Sequence, residues 1–161
     1  MLFRSQILSD HRFRLGVAVG WDPAEFEAVG VPLRERGKRT DEALDLIWRL
    51  LGEEDVTYEG RYWSVDELTI HPRVTELPHL WVAGGTLTHA PDTPDKPFIA
   101  RGVLERIRRA DGWMARSSGS DPEDVKNDWE AVSEHLRRHG RDPASLTFGA
   151  TQFLHIVETG R

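Results

Sequence analysis

The sequence predicts an α/β fold in which about four parallel strands alternate with flanking helices, with a small hairpin inserted among them. Three observations predict it. Short apolar runs alternate with amphipathic helical stretches, the order that parallel strands with right-handed crossovers require. Two helix starts, Asp22-Pro23 and Asp121-Pro122, each come after a strand-like run. Glycine- or hydroxyl-rich turns fall at the ends of strands, at Gly20-Trp21, Gly84 to Thr88 and Arg116 to Ser120. Open α/β sheets and α/β barrels place their sites at such C-terminal strand ends.

Residues 1–11 read as a short lead-in. Residues 12–20 begin with polar/apolar alternation and pass into the run Val17-Ala18-Val19, which predicts a strand buried on both faces at its end. Asp22 is placed to cap a helix that Pro23 opens, and Glu25 sits in the first turn, where the helix dipole favours an acid. A loop around Gly30-Val31-Pro32 leads to a helix over about 33–51, with Ala43, Leu44, Ile47, Leu50 and Leu51 at helical spacing. Its basic residues Arg34, Arg36, Lys38 and Arg39 read as a solvated face, or, at Arg39, as a reach towards a phosphate.

Residues 56–63 predict a hairpin turning at Glu59-Gly60. The central stretch is Leu80-Trp81-Val82-Ala83-Gly84-Gly85-Thr86-Leu87-Thr88. Four apolar residues run into two glycines, as in a buried parallel strand ending in a backbone-exposing turn. The glycine N–H groups and the Thr86 and Thr88 hydroxyls could cradle an anion; equally, the pair could be a tight turn without a ligand. The Pro91, Pro94 and Pro97 series predicts an extended loop, a lid or a surface excursion. A helix over about 99–109 follows, then a very short strand over 110–115 and the polar loop 116–120. Val125, Trp129, Val132 and Leu136 mark an amphipathic helix that Gly140 ends, and residues 146–157 read as a last strand.

Composition excludes several classes. The chain has 161 residues, enough for one domain with a core. Its net charge of −6 argues against nucleic acid, whose binders carry a basic footprint. No apolar run approaches the roughly 18 residues of a membrane span, and the N-terminus lacks a signal-peptide layout. With no cysteine, thiolate catalysis and Cys-based metal sites are excluded, and a cytoplasmic location is compatible. His71, His79, His89 and Asp92 lack the compact spacing of a metal-dependent hydrolase. Asp22, Glu25 and Asp111 could serve as acid–base groups, but caps and turns account for them.

In family order along nearly the whole chain stand Arg12 to Trp21, Glu25-Phe26, Arg36 to Leu44, Tyr58 to Trp63, Leu80 to Gly85 and Ala110 to Met114. On these segments the sequence resembles the bacterial luciferase-like monooxygenases, flavin- or deazaflavin (F420)-dependent oxidoreductases built on a TIM barrel. The resemblance implies a partial (β/α)8 barrel, one domain over residues 1–161, matching strands four to seven of eight. It implies a redox enzyme acting on a small organic substrate with F420 or flavin mononucleotide (FMN). Val19, Gly20 and Trp21 match the cofactor-bordering turn after the fourth strand. Ala83, Gly84, Gly85 and Thr88 match the turn that holds the phosphate-bearing tail. Some flavin-using members have an arginine where this chain has Val19, which leaves F420 open. The family's polar catalytic residues come largely from strands without a counterpart here, so no catalytic residue is assigned. Trp21 and Trp113 could wall the barrel mouth or simply pack. The alternative is an inactive half-barrel fragment; exposed sheet edges would favour a homo-oligomer in either case.

Overall fold

The computed structural model describes residues 2–86, 99–115 and 121–150. The chain divides into two compact units, Met1–Leu80 and Trp81–Arg161. The main sheet has the strand order β1-β4-β5-β6, where β1 is Arg14–Val17, β4 is His79–Ala83, β5 is Gly112–Ala115 and β6 is Thr147–Ala150. The α/β class with parallel strands and flanking helices is therefore what forms.

In the first unit the lead-in is a helix, α1 (Leu2–Leu8). Gln6 on α1 is buried and donates its amide to the Glu76 carbonyl at 3.0 Å. Strand β1 is shorter than expected and is not buried on both faces. Arg14 and Gly16 are exposed, while Leu15 and Val17 are half-buried. The alternation that opens the segment persists through it, so one face of the strand carries no covering layer. Helix α2 (Pro23–Ala28) starts as predicted, with the Asp22 carboxylate accepting from the Ala24 N–H at 2.9 Å. A 3₁₀ turn (Leu33–Glu35) precedes α3 (Arg36–Gly52), which buries Leu44, Leu46 and Leu51.

The hairpin forms, but its second strand lies further along. β2 (Val56–Glu59) pairs antiparallel with β3 (Ser64–Leu68), not with residues 61–63. The cause is Glu42 on α3. Its carboxylate accepts the N–H groups of Arg61, Tyr62 and Trp63 at 3.1, 2.8 and 3.0 Å, turning that backbone towards the carboxylate instead of a strand partner.

In the second unit, β4, β5 and β6 run parallel, with Val82 opposite Trp113 and Trp113 opposite Phe148. Helix α4 (Arg101–Arg109) packs on α5 (Pro122–Arg138). Their contact buries Ile107 and Leu136 completely, each contributing about 1.5–3 kcal/mol of apolar burial. Asp121 caps α5 as expected, accepting from the Glu123 N–H. Gly140, at φ +73°, follows the end of the helix. The Arg141 guanidinium closes α4 by donating to the Arg108 and Ala110 carbonyls at 2.8 and 2.7 Å. The Trp81 indole lies flat across β5 and β6 because Gly112 and Gly149 leave room for it. A Cβ on Gly112 would come within 2.4 Å of the ring. The proline-rich loop, the 116–120 loop and the end of the last predicted strand lie outside the described residues.

Candidate functional site: the glycine turns at strand ends

The turn after β4 is built from the second unit's own core. Gly84 has φ +150°, a conformation that favours glycine, and a Cβ there would lie 3.1 Å from Val103 Cγ1. Both of its peptide groups are engaged. Its N–H donates to the Met114 carbonyl at 3.2 Å, and its carbonyl accepts from Trp113 Nε1 at 2.7 Å. The Gly84 N–H is thus committed to the sheet and not to an anion. Gly85 is buried, and no hydrogen bond to its N–H is found among the described residues.

Thr86 departs from expectation. Its hydroxyl and its N–H both donate to the carboxylate of Asp128, the latter at 2.7 Å. Asp128 is 4% exposed on the inner face of α5. The threonine therefore anchors the turn to a helix instead of offering a hydroxyl to a ligand. Reading the sequence by apolar periodicity missed Asp128. The available signal was its position one residue before Trp129 and four before Val132, on the side of the helix that faces inward. Thr88 lies outside the described residues.

Trp113 is fully buried and belongs to the core, not to an open wall. It stacks on Trp129 at 6.2 Å between ring centroids and meets Phe148 edge-on at 5.4 Å. This packing fixes the direction of its indole N–H, and hence the Gly84 carbonyl it holds.

The turn after β1 belongs to the first unit. Gly20 has φ +76°, and a Cβ there would come within 2.9 Å of Phe26. Glycine suits this position because its φ is left-handed and the Phe26 ring of α2 occupies the space a Cβ would take. Val19 is half-buried, whereas Trp21 is 82% exposed, an unusual cost for so large an apolar side chain. Arg39 is not poised for a phosphate. It pairs with Glu35 at 3.1 Å and lies 4.3 Å over the Tyr62 ring. His79 Nδ1 lies 3.3 Å from the Arg14 guanidinium, and His89 and Asp92 are outside the described residues.

A second polar cluster was not foreseen. Glu105, His135 and His139 bring one potential ligand atom each within 4.8 Å of one another. Burial lowers the His135 pKa, and the neighbouring Glu105 only partly opposes this. The signal in sequence was the i, i+4 histidine pair on a helix; Glu105 joins it only through the packing of α4 on α5. No helix among the described residues is long and apolar enough to cross a membrane.

The luciferase-like monooxygenase family matches residues 5–92. An uncharacterised protein of Mycobacterium bovis is 30% identical over 118 residues, covering 73% of this chain and 35% of that protein. An F420-dependent glucose-6-phosphate dehydrogenase of Kineococcus radiotolerans is 37% identical over 81 residues, covering 48% of this chain and 24% of that enzyme. Among solved structures, the monooxygenase RslO1 from Streptomyces bottropensis superposes with a TM-score of 0.69 at 25% identity, over 91% of this chain and 42% of that one. The chain thus spans well under half the length of the relatives it matches.

Proposed function

The chain belongs to the luciferase-like monooxygenase family and has the fold of part of its (β/α)8 barrel, and on that premise we propose that it serves a flavin- or F420-dependent oxidoreductase acting on a small organic substrate. The observation that carries the reading is the turn Gly84-Gly85-Thr86 at the C-terminal end of a parallel strand. Its path is held by the protein's own contacts, from Met114, Trp113 and Asp128. Such a preformed turn costs no ordering when a ligand arrives.

In this reading Ala83, Gly84, Gly85 and Thr88 contact the phosphate-bearing tail of the cofactor. Gly85 contributes its N–H, the donor that the sheet leaves unused among the described residues. Gly84 supplies the conformation that turns the chain. Val19, Gly20 and Trp21 match the family's other cofactor-bordering turn, and contact with a cofactor ring would cover the exposed Trp21 side chain. When bound, the cofactor supplies the redox chemistry, and the protein's work is to hold, orient and dry its ring. The Kineococcus relative's name favours F420, as does an uncharged Val19 where a phosphate-pairing arginine stands in some flavin users. Self-association accompanies this role. Leu8, Trp21 and Val29 are 85%, 82% and 71% exposed, apolar side chains that contact with a second copy would cover.

The test is a side-by-side fluorescence titration of the full chain with F420 and with FMN. Saturable binding of one of them, weakened by Gly85→Val, is the expected result. A folded chain that binds neither would refute the cofactor role and leave the inactive half-barrel.

A further inference from the structure

We propose that Glu105, His135 and His139 form a binding site for a divalent transition-metal cation, one that clamps α4 to the last turn of α5. The three residues come from two packed helices of the second unit. Their nearest ligand atoms lie within 4.8 Å of one another, the geometry of a site that needs only side-chain rotation to close. Zinc bonds of about 2.0–2.1 Å put tetrahedral ligands roughly 3.4 Å apart, so the cluster would contract by about 1.4 Å.

Each ligand is already prepared for the task. His135 and His139 are one helical turn apart, with ring centroids 4.3 Å from each other. The Nε2 atom of His135 is buried and makes no hydrogen bond; it faces Glu105 Oε1 at 3.5 Å without hydrogen-bond geometry. His139 Nδ1 lies 2.8 Å from the His135 carbonyl oxygen, and as a donor to it leaves the Nε2 lone pair for a metal. The carboxylate of Glu105 divides its two oxygens. Oε2 accepts from Arg108 Nε at 3.0 Å, and Oε1 is turned towards His135. A ligating carboxylate held by a second partner is the arrangement that orients metal ligands.

Charges at this place act in both directions on a cation. His135 lies in the final turn of α5 and His139 at its C-cap, where the helix dipole presents its negative end. Arg108 and Arg101 oppose a cation, and Glu105 offsets part of their charge. Two imidazoles and one carboxylate suit zinc, nickel or cobalt, and not calcium or magnesium, which prefer oxygen cages. Three protein ligands leave at least one position for water. Helix α5 delivers the chain to the start of β6, so this site lies at the opposite end of its strand–helix unit from the Gly84 turn. It is therefore independent of the cofactor reading.

The experiment titrates the full chain, free of affinity tag, with zinc chloride by calorimetry and with cobalt chloride by visible absorbance. Expected are one zinc ion per chain with a dissociation constant on the order of micromolar and cobalt ligand-field bands. His139→Ala and Glu105→Gln should each weaken zinc binding at least tenfold. His139 is exposed, so its replacement leaves the fold intact, as circular dichroism would verify. Saturating zinc should also raise the melting temperature of the parent chain and not that of His139→Ala. The proposal is overturned if the folded chain binds neither metal. It is equally overturned if both variants bind as the parent does, which would assign the metal to other histidines.

Discussion

Replacing Asp128 by alanine should unfasten the turn after β4 and destabilise the protein by about 2–4 kcal/mol. The magnitude follows from the contacts. The buried carboxylate accepts both the N–H and the hydroxyl of Thr86, which is itself only 9% exposed. A hydrogen bond to a charged group contributes about 1.5–3 kcal/mol, so two set an upper limit near 6. Water entering the space left by the side chain recovers part of that. For a chain of this size the loss lowers the melting temperature by roughly 5–15 °C. Asp128→Asn, which keeps one acceptor oxygen, should cost about 1 kcal/mol. The assay is urea unfolding of Asp128→Ala, Thr86→Val and the double variant. The cycle should yield a coupling of about 1–2 kcal/mol, since the valine removes the hydroxyl and leaves the N–H. Amide exchange at Thr86 should accelerate in Asp128→Ala. A cost below about 0.5 kcal/mol, or strict additivity in the cycle, would refute the claim that this pair holds the turn.

Two other outcomes follow from the same geometry. Gly84→Ala must hold alanine at φ +150° with its methyl 3.1 Å from Val103. It should cost about 1–3 kcal/mol in urea unfolding, whereas Gly16→Ala, with open space around it, should change stability by less than about 1 kcal/mol. Glu42 sets a pH dependence. Desolvation pushes its pKa up, but the N–H groups of Tyr62, Trp63 and Arg61 and the charge of Arg39 outweigh this and leave it below its ordinary 4.5. A depressed carboxylate contributes stability that is present above the unfolded pKa and lost as pH falls through the folded one. Amide protection at residues 61–63 should therefore drop on acidification below about pH 4.5, and Glu42→Gln should abolish that pH step.

Local chemistry made much of this protein legible. Asp22-Pro23 and Asp121-Pro122 mark helix starts because a capping carboxylate and a fixed φ act within a few residues. The spacing of Val132 and Leu136 identifies a buried helix face for the same reason, and Gly20 and Gly84 mark positions where only a left-handed or strained backbone completes the turn. The ordered set of segments also carried the family. What periodicity could not supply was the partner of each polar group. Thr86 was equally able to meet a ligand or a protein carboxylate, and only the packing of α5, which brings Asp128 to it across 42 residues, decided for the carboxylate.

The same limit explains the hairpin and the histidine cluster. Residues 61–63 have strand-like side chains, but Glu42 lies 19–21 residues away and takes their N–H groups. The histidine pair is visible on its helix, while Glu105 reaches it only because α4 packs on α5. Sequence by itself determined the α/β class, the two Asp-Pro helix starts and the glycine turns, since the caps and turns depend on forces acting within about one helical turn. Tertiary structure alone decided which hydroxyl, amide and carboxylate meet, because a buried polar group must find its partner wherever the folded chain supplies one.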